Sequence, residues 1–284
     1  MPRRRRKTIA PGDRDRFAIP VRFCILGSGS SGNSALLVTP GTRVLVDAGF
    51  SLRKLEKLLA AAGESLERIE AIFLTHEHGD HAAALEGLRR FPGIQIFAND
   101  ATARAVQAGL SHRPAWRIFE TGSRFEFKDL EVTSFAVPHD AHEPVGFRFA
   151  CGREGDLFEP RRSLTWLTDL GHVPEPARVH LRDCDVAVVE ANHCSQLLQE
   201  DPRRPWSTKQ RIGGRHGHLS NAAACELLAS IASPQWRRIY LTHLSRDCNS
   251  PAVVEAAFAG IRATVKCEIT IVGAGEGTAF YGFD

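Results

Sequence analysis

The stretch Thr75-His76-Glu77-His78-Gly79-Asp80-His81 places three histidines and an aspartate within six residues. It directly follows the apolar run Ala71-Ile72-Phe73-Leu74, which predicts a buried strand, so the histidines occupy the turn at the carboxyl end of that strand. The first two histidines alternate along an extended segment and can point the same way, whereas the last two residues turn onto a helix predicted over residues 82–90. This arrangement suits two adjacent metal ions better than one.

Length and composition are typical of a globular protein. The 284 residues, 43% of them apolar, suffice for one large domain with a sizeable core. Seven cysteines without C-x-x-C spacing predict reduced thiols and a cytoplasmic location. No apolar run approaches the roughly 20 residues that a membrane span needs, and no apolar stretch precedes Phe17. We therefore expect a soluble protein that is not exported.

The positive charge of the chain is concentrated at its amino terminus. Residues 1–16 hold seven basic and two acidic residues, so this stretch carries +5 while the formal charge of the whole chain is only +3. We predict a disordered basic arm over residues 1–20 and a single catalytic domain over residues 21–284. Such an arm either holds phosphate backbones through counterion release or is a solvated terminus without a partner.

A glycine- and serine-rich run over residues 27–34 follows the first predicted strand, residues 21–26. It lacks the Gly-Lys-Ser/Thr ending of a P-loop, and a strand rather than a helix follows at residues 35–38. This pattern predicts a tight strand-to-strand turn beside a site. Asp47 ends the next strand. It either orients a metal ligand through a hydrogen bond or caps the helix predicted over residues 51–62.

Three further polar residues, His139, Asp169 and His243, each follow an apolar strand. The carboxyl ends of strands gather along one edge of the sheet in a layered α/β fold, so these distant residues are expected to converge. Together with the first cluster they form a set of seven ligands: His76, His78, Asp80, His81, His139, Asp169 and His243. Imidazole and carboxylate ligands suit zinc, manganese or iron and do not choose among them.

These residues resemble the metallo-β-lactamase superfamily, whose Thr-His-x-His-x-Asp-His signature matches residues 75–81. Six further motifs and the run over residues 27–34 are similar to its bacterial YycJ-like (WalJ-like) branch: Pro138-His139-Asp140-Ala141, Thr168-Asp169-Leu170-Gly171, Glu190-Ala191-Asn192-His193, Lys209-Gln210-Arg211-Ile212, Gly217-His218-Leu219-Ser220-Asn221 and His243-Leu244-Ser245. The resemblance covers roughly residues 21–284. Cys194 departs from it, because the branch usually has an aspartate at this position.

The resemblance implies an α/β fold, a four-layer αββα sandwich with two mixed sheets between outer helices. The chain is too short and too continuous between Asp169 and His193 for an inserted β-CASP domain. The resemblance also implies a nuclease with 5′ to 3′ exonuclease action on DNA. It divides the ligands among two ions: His76, His78 and His139 for one, Asp80, His81 and His243 for the other, with Asp169 bridging.

The chemistry of such a centre assigns further roles. A hydroxide held between two divalent ions attacks a phosphodiester at neutral pH, and Asp80 is expected to orient it. His218 is the candidate proton donor for the leaving oxygen, and Ser220 is expected to contact substrate at a helix start where free N–H groups favour a phosphate. Asn192 and His193 either contact substrate or orient the metal ligands through hydrogen bonds.

Residues 201–215 form a predicted link that is rich in proline and arginine. Its basic side chains either line a groove for DNA, or for RNA, through phosphate contacts or form a solvated loop: Arg203, Arg204, Lys209, Arg211 and Arg215. Trp206 is the one aromatic residue among them and only weakly indicates base stacking. The sequence leaves the oligomeric state open.

Three functions fit the pattern. The first is a dinuclear metal phosphodiesterase, a DNA exonuclease with zinc or manganese, or with iron. The second is a small-substrate hydrolase of the same fold that cleaves a cyclic phosphodiester, a thioester or a lactone, since fold alone does not separate these substrates. The third is a non-catalytic regulatory or binding protein that contains metal, and the complete ligand set speaks against it.

Overall fold

The computed structural model describes residues 21–156 and 159–283, so the basic arm predicted over residues 1–20 lies outside the described residues. In these ranges the strands are β1 (Arg22–Gly27), β2 (Ser34–Val38), β3 (Arg43–Val46), β4 (Ala71–Phe73), β5 (Gln95–Ala98), β6 (Ala115–Ile118), β7 (Arg124–Phe127), β8 (Leu130–Ala136), β9 (Val145–Cys151), β10 (Arg162–Leu167), β11 (Val186–Glu190), β12 (Arg238–Thr242), β13 (Glu268–Ile271) and β14 (Tyr281–Gly282). The α-helices there are α1 (Leu52–Ala61), α2 (Gly79–Ala82), α3 (Asp100–Gln107), α4 (Glu175–Arg182), α5 (Ser195–Glu200), α6 (Trp206–Ile212), α7 (Asn221–Ile231) and α8 (Pro251–Phe258). None of these helices has both the length and the apolarity to cross a bilayer.

The strands form two sheets that share one plan. The first has the order β14-β1-β2-β3-β4-β5-β6 and the second the order β13-β12-β11-β10-β9-β8-β7. Each is antiparallel at one side and parallel at the other, from β3 to β6 and from β10 to β13. Parallel neighbours require crossover connections, so the chain emerges repeatedly at the carboxyl edge of each sheet.

Three apolar clusters define the layers. The central cluster joins both sheets: Phe73 on β4 has its ring centroid 4.7 Å from that of Phe97 on β5 and 5.2 Å from that of Phe149 on β9. A second cluster lies between the first sheet and α1 and α3, and a third between the second sheet and α4, α7 and α8. Strands that are covered on both faces of their sheet have nearly continuous apolar sequences. The predicted four-layer αββα sandwich is therefore confirmed, and α4 and β11 occupy the chain between Asp169 and His193 without an inserted domain.

The helix predicted over residues 82–90 is wrong. The α-helix ends at Ala82, and a 3₁₀ turn follows only at Gly87–Arg90. The carbonyls that would continue the helix form hydrogen bonds to residues beside distant strands instead. The carbonyl of Asp80 accepts from the N–H of Asn33 at 2.8 Å, and the carbonyl of His81 accepts from the N–H of Ala48 at 2.8 Å. These bonds fix the histidine-rich loop against the ends of β2 and β3.

The segment over residues 201–215, predicted as a link, contains the helix α6. The chain after α6 packs closely on the loop that follows β10, because a Cβ at Gly171 would lie 2.3 Å from the carbonyl oxygen of Gly214. The N–H of His218 donates to the carbonyl of Ile212 at 2.8 Å. This segment is therefore folded against the carboxyl edge of the second sheet.

Candidate metal centre

The first four predicted ligands lie together on the loop after β4. His76 and His81 are fully buried, while His78 and Asp80 are partly exposed. The Nε2 atom of His76 lies 3.1 Å from Nδ1 of His78. The two histidines at alternate positions thus point to the same place, as the extended segment predicted.

The other three ligands arrive on separate strand ends of the second sheet. His139 follows β8, Asp169 follows β10 and His243 follows β12. Asp169 and His243 adopt left-handed backbone conformations, with φ of 59° and 58°, which non-glycine residues rarely do. Such strain is typical of functional sites, and here it occurs where the chain leaves the strand.

All seven predicted ligands converge. The carboxylate of Asp169 lies at the centre, with Oδ2 3.4 Å from Nε2 of His81 and Oδ1 3.4 Å from Nε2 of His243. One ligand atom from each member of two groups lies within 4.8 Å of the others in its group: His76, His78 and His139 in the first, and Asp80, His81 and His243 in the second. These two groups are the ones that the family resemblance assigned to separate ions.

The geometry of these side chains fits divalent cations. Oδ2 of Asp169 and Nε2 of His243 are buried without a hydrogen-bond partner, which is costly unless a cation satisfies them. Burial and the neighbouring histidines hold the pKa of His76 far below its usual value, so its imidazole is neutral and offers a lone pair. Although burial opposes it, the nearby His243 and His81 lower the pKa of Asp169, which keeps the carboxylate ionised.

Two buried carboxylates contact the Nδ1 atoms of histidines in the candidate metal centre. Oδ2 of Asp47 lies 2.8 Å from Nδ1 of His81, and Oε1 of Glu190 lies 2.7 Å from Nδ1 of His243. Both carboxylates are fully buried, and each leaves Nε2 of its histidine directed at the centre. Of the two roles open for Asp47, capping of α1 is not observed, because Ser51 caps this helix, and the Asp47 carboxylate contacts the candidate ligand His81 instead.

Glu190 is the residue that the sequence interpretation missed. Its Oε1 also lies 2.7 Å from Nδ1 of His218, and its Oε2 accepts the backbone N–H groups of Leu170 and Leu219 at 3.2 and 3.1 Å. One side chain thus holds a candidate ligand, the candidate proton donor and two loops. A signal was available: Glu190 ends β11, just as Asp47 follows β3, so a carboxylate at the end of a buried strand marks both.

The centre opens into a cavity of about 280 Å³. Burial opposes protonation of His218 in its wall, but the charge and hydrogen bond of Glu190 raise the pKa of this histidine above its usual value. The cavity is lined by Ser30, His78, Asp80, His139, Asp140, Asp169, Asn192, Arg204, Arg211, Ile212, His218, His243 and Ser245. Two of the five basic residues in the segment over residues 201–215, Arg204 and Arg211, therefore face the cavity.

The remaining predicted substrate residues divide into two groups. Asn192 lines the cavity and donates to the carbonyl of His243 at 2.8 Å. His193 and Ser220 lie outside that lining and pair with each other through a β-bridge, and the hydroxyl of Ser220 caps α7 by accepting from Ala223. Burial lowers the pKa of His193 to about 4. Cys194 directly precedes α5, and its N–H donates to the carbonyl of Cys248 at 2.9 Å.

Comparisons with known proteins identify the family. A family model described as a beta-lactamase superfamily domain matches residues 42–244. A solved structure of similar fold is YhfI from Bacillus subtilis, a metallo-beta-lactamase fold protein, with a TM-score of 0.66 at 16% identity, covering 91% of this chain and 98% of that one. The chain therefore belongs to the metallo-β-lactamase superfamily. The fold of this superfamily implies divalent metal ions.

Two curated relatives narrow the assignment. The exodeoxyribonuclease WalJ of Streptococcus pneumoniae is 36% identical over 235 residues, which span 81% of this chain and 84% of the relative. The exodeoxyribonuclease YycJ of Bacillus anthracis is 34% identical over 231 residues, with the same coverage of both chains. The YycJ-like branch that the motifs predicted is thus confirmed. With these relatives and the family model, the predicted metal-dependent hydrolase is confirmed as well.

Proposed function

We propose that the protein is a dinuclear metal-dependent phosphodiesterase that acts on nucleic acid as a 5′ to 3′ DNA exonuclease. The observation that carries this proposal is the convergence of seven ligands, in two groups of three around Asp169, at the base of an open cavity. The printed names of the two curated relatives support DNA as the substrate. Zinc or manganese suits the imidazole and carboxylate set, as does iron.

The side chains around the centre divide the chemical work. When bound, divalent ions lower the pKa of water and neutralise charge that develops on a phosphodiester. Asp80 keeps 28% of its side chain exposed toward the cavity, so its carboxylate can accept a hydrogen bond from the attacking water and orient it. His218 donates a proton to the leaving oxygen, because Glu190 occupies its Nδ1 and leaves Nε2 free for the cavity.

Basic residues at the cavity suit an anionic polymer. Arg204 and Arg211 line it, although Arg204 also contacts Asp201 and Asp247, and Arg211 lies 3.5 Å from Asp140. Contacts of this kind position a phosphate backbone without reading its sequence. Nonspecific binding of this kind is what an exonuclease requires.

The basic arm is expected to add to this binding. Deletion of residues 1–16, which removes a net charge of +5, should weaken DNA binding and reduce the slope of log affinity against log salt concentration. Fluorescence anisotropy at several salt concentrations measures both quantities. An unchanged slope would leave the arm without a role in binding.

End-labelled substrates test the proposal. Single- and double-stranded DNA, RNA of the same sequence and a chromogenic phosphodiester are incubated with the protein, with manganese or zinc added separately. A thioester, a lactone and a cyclic phosphodiester are tested in parallel as small substrates. A 5′ to 3′ exonuclease releases a 5′ label at once as a mononucleotide and shortens a 3′-labelled strand step by step. Asp169→Ala protein prepared in parallel controls for contaminating nucleases. Internal cuts would overturn the exonuclease assignment, and intact nucleic acid beside a hydrolysed thioester, lactone or cyclic phosphodiester would favour a small-substrate hydrolase.

A further inference from the structure

The segment over residues 202–215 is unusual in charge and position. It contains five basic residues and no acidic one. Two of the five, Arg204 and Arg211, line the cavity, so the segment forms one wall of the proposed active site. Arg203 and Arg211 each keep 69% of their side chains exposed although both have acidic neighbours. The exposed parts of these two side chains lie beside the cavity wall, with Asp247 next to Arg203 and Asp140 next to Arg211.

Trp206 differs from every other tryptophan of the chain. Trp166 and Trp236 are 0% and 5% exposed, and Trp116 is partly buried with its indole N–H donating to Gln107 at 2.9 Å. Trp206, in contrast, is 60% exposed at the first turn of α6. A single exposed apolar residue needs no explanation by itself, but this one lies inside the basic wall.

We propose that Trp206 stacks on an unpaired nucleobase of the strand whose phosphate enters the cavity. The basic residues of the same segment then contact the phosphates that lie between this nucleobase and the cavity. This inference rests on the proposed function and adds the form of the substrate: a single-stranded end. Trp206 lies two residues after Arg204, which lines the cavity, and three residues before Lys209, which lies on the same face of α6. Arg211 is turned by roughly 140° from Trp206 about the helix axis, so the stacking surface and the phosphate contacts meet at the start of α6. Stacking on aromatic side chains and cationic contacts to the backbone together are the common way of holding a single strand without reading its sequence.

Binding of hydrolysis-resistant phosphorothioate oligonucleotides to the metal-loaded protein tests the inference. Trp206→Ala should weaken the affinity for a single-stranded oligonucleotide by about fivefold to a hundredfold, whereas Trp206→Phe should retain most of it. Ile118→Ala, which removes another exposed apolar side chain from the edge strand β6, is the matched control and should bind as the wild type does. Fluorescence anisotropy gives the affinities.

An abasic oligonucleotide separates stacking from other roles of Trp206. The wild type should prefer the oligonucleotide with bases over an abasic one of equal length, and Trp206→Ala should lose that preference while its salt dependence stays the same. Equal weakening toward both oligonucleotides would overturn the inference, as would wild-type affinity of Trp206→Ala. A wild-type dimer that Trp206→Ala converts to a monomer would also overturn it by assigning Trp206 to contact with a second copy. Wild-type protein that neither binds nor cleaves nucleic acid would overturn the proposed function itself.

Discussion

Four candidate ligands lie in one loop after β4 of the first sheet, whereas the second sheet supplies three from the ends of β8, β10 and β12. Each sheet with its loops forms one half of the fold. Both halves otherwise use the same devices. Each places a buried carboxylate against Nδ1 of a histidine, Asp47 in the first half and Glu190 in the second. Each also uses left-handed residues after its strands, Asp47 in the first half and Asp169 and His243 in the second.

The difference between the halves lies in what the supporting carboxylate holds. Asp47 supports His81 and also accepts from the N–H of Thr75 at 2.8 Å, so its bonds stay within the ligand loop. Glu190 supports both His243 and His218 and ties two backbone segments to them. The first half is thus organised to hold metal, while the second half also connects the metal centre to the residues that face substrate.

Removal of metal should affect both halves and give the largest effect. Protein purified without chelator should contain about two transition metal ions per chain, and chelation should abolish hydrolysis until metal is restored. His139→Ala and His243→Ala, one from each ligand group, should each lower the content to about one ion. Elemental analysis combined with protein quantification gives the number of metal ions per chain. A content near zero in untreated wild-type protein would rule out the dinuclear centre.

Asp169→Ala should give the next largest effect, because this carboxylate lies 3.4 Å from His81 and His243 of one ligand group and 4.0 Å from His139 of the other. We expect hydrolysis to fall on the order of a thousandfold or more, since the loss affects both ions. Rates on end-labelled DNA measure the effect, and circular dichroism confirms that the variant is folded. Retained activity in folded protein would remove Asp169 from the centre.

The supporting carboxylates test the asymmetry directly. Asp47→Asn and Glu190→Gln remove one charge each with little change in shape, and each should reduce metal affinity about 10- to 100-fold. Glu190→Gln should cost more in turnover, because it also releases His218. Parallel measurements of metal affinity and of kcat at saturating metal separate the two contributions. Equal losses of kcat in both variants would show that the halves are equivalent.

The same asymmetry explains what could be predicted from the sequence. The αββα sandwich and all seven convergent residues were predictable, because the ligands follow apolar strands and the densest cluster carries a recognisable signature. Glu190 was missed because a carboxylate at the end of a buried strand does not by itself indicate which side chains it contacts. Its function depends on His218 and His243, which lie 28 and 53 residues away.

Local periodicity also failed where distant partners decide the structure. Residues 82–90 have a helical pattern, but the carbonyls that would continue α2 bond to Asn33 and Ala48 instead. Within residues 201–215 the proline and arginine content hid α6, which begins directly after Pro205. Proline is well tolerated at the start of a helix, so it marked a beginning rather than a break.

Left-handed residues outside the site provide a final and smaller test of the comparison. Aspartate and histidine tolerate this conformation better than other non-glycine residues, which fits their use in both halves. Ala232 has no such advantage, yet it ends α7 with φ 39° and ψ 49°. Ala232→Gly should therefore increase the free energy of unfolding by about 0.5–1 kcal/mol, since relief of strain exceeds the greater entropy of the unfolded chain. Urea denaturation measures this change, and Ala229→Gly within α7 should instead destabilise by about 1 kcal/mol. Destabilisation by both glycines would show that the left-handed conformation of Ala232 carries no strain. Backbone strain at Asp169 and His243 would then depend on the surroundings of these residues in the metal centre and not on the left-handed conformation alone.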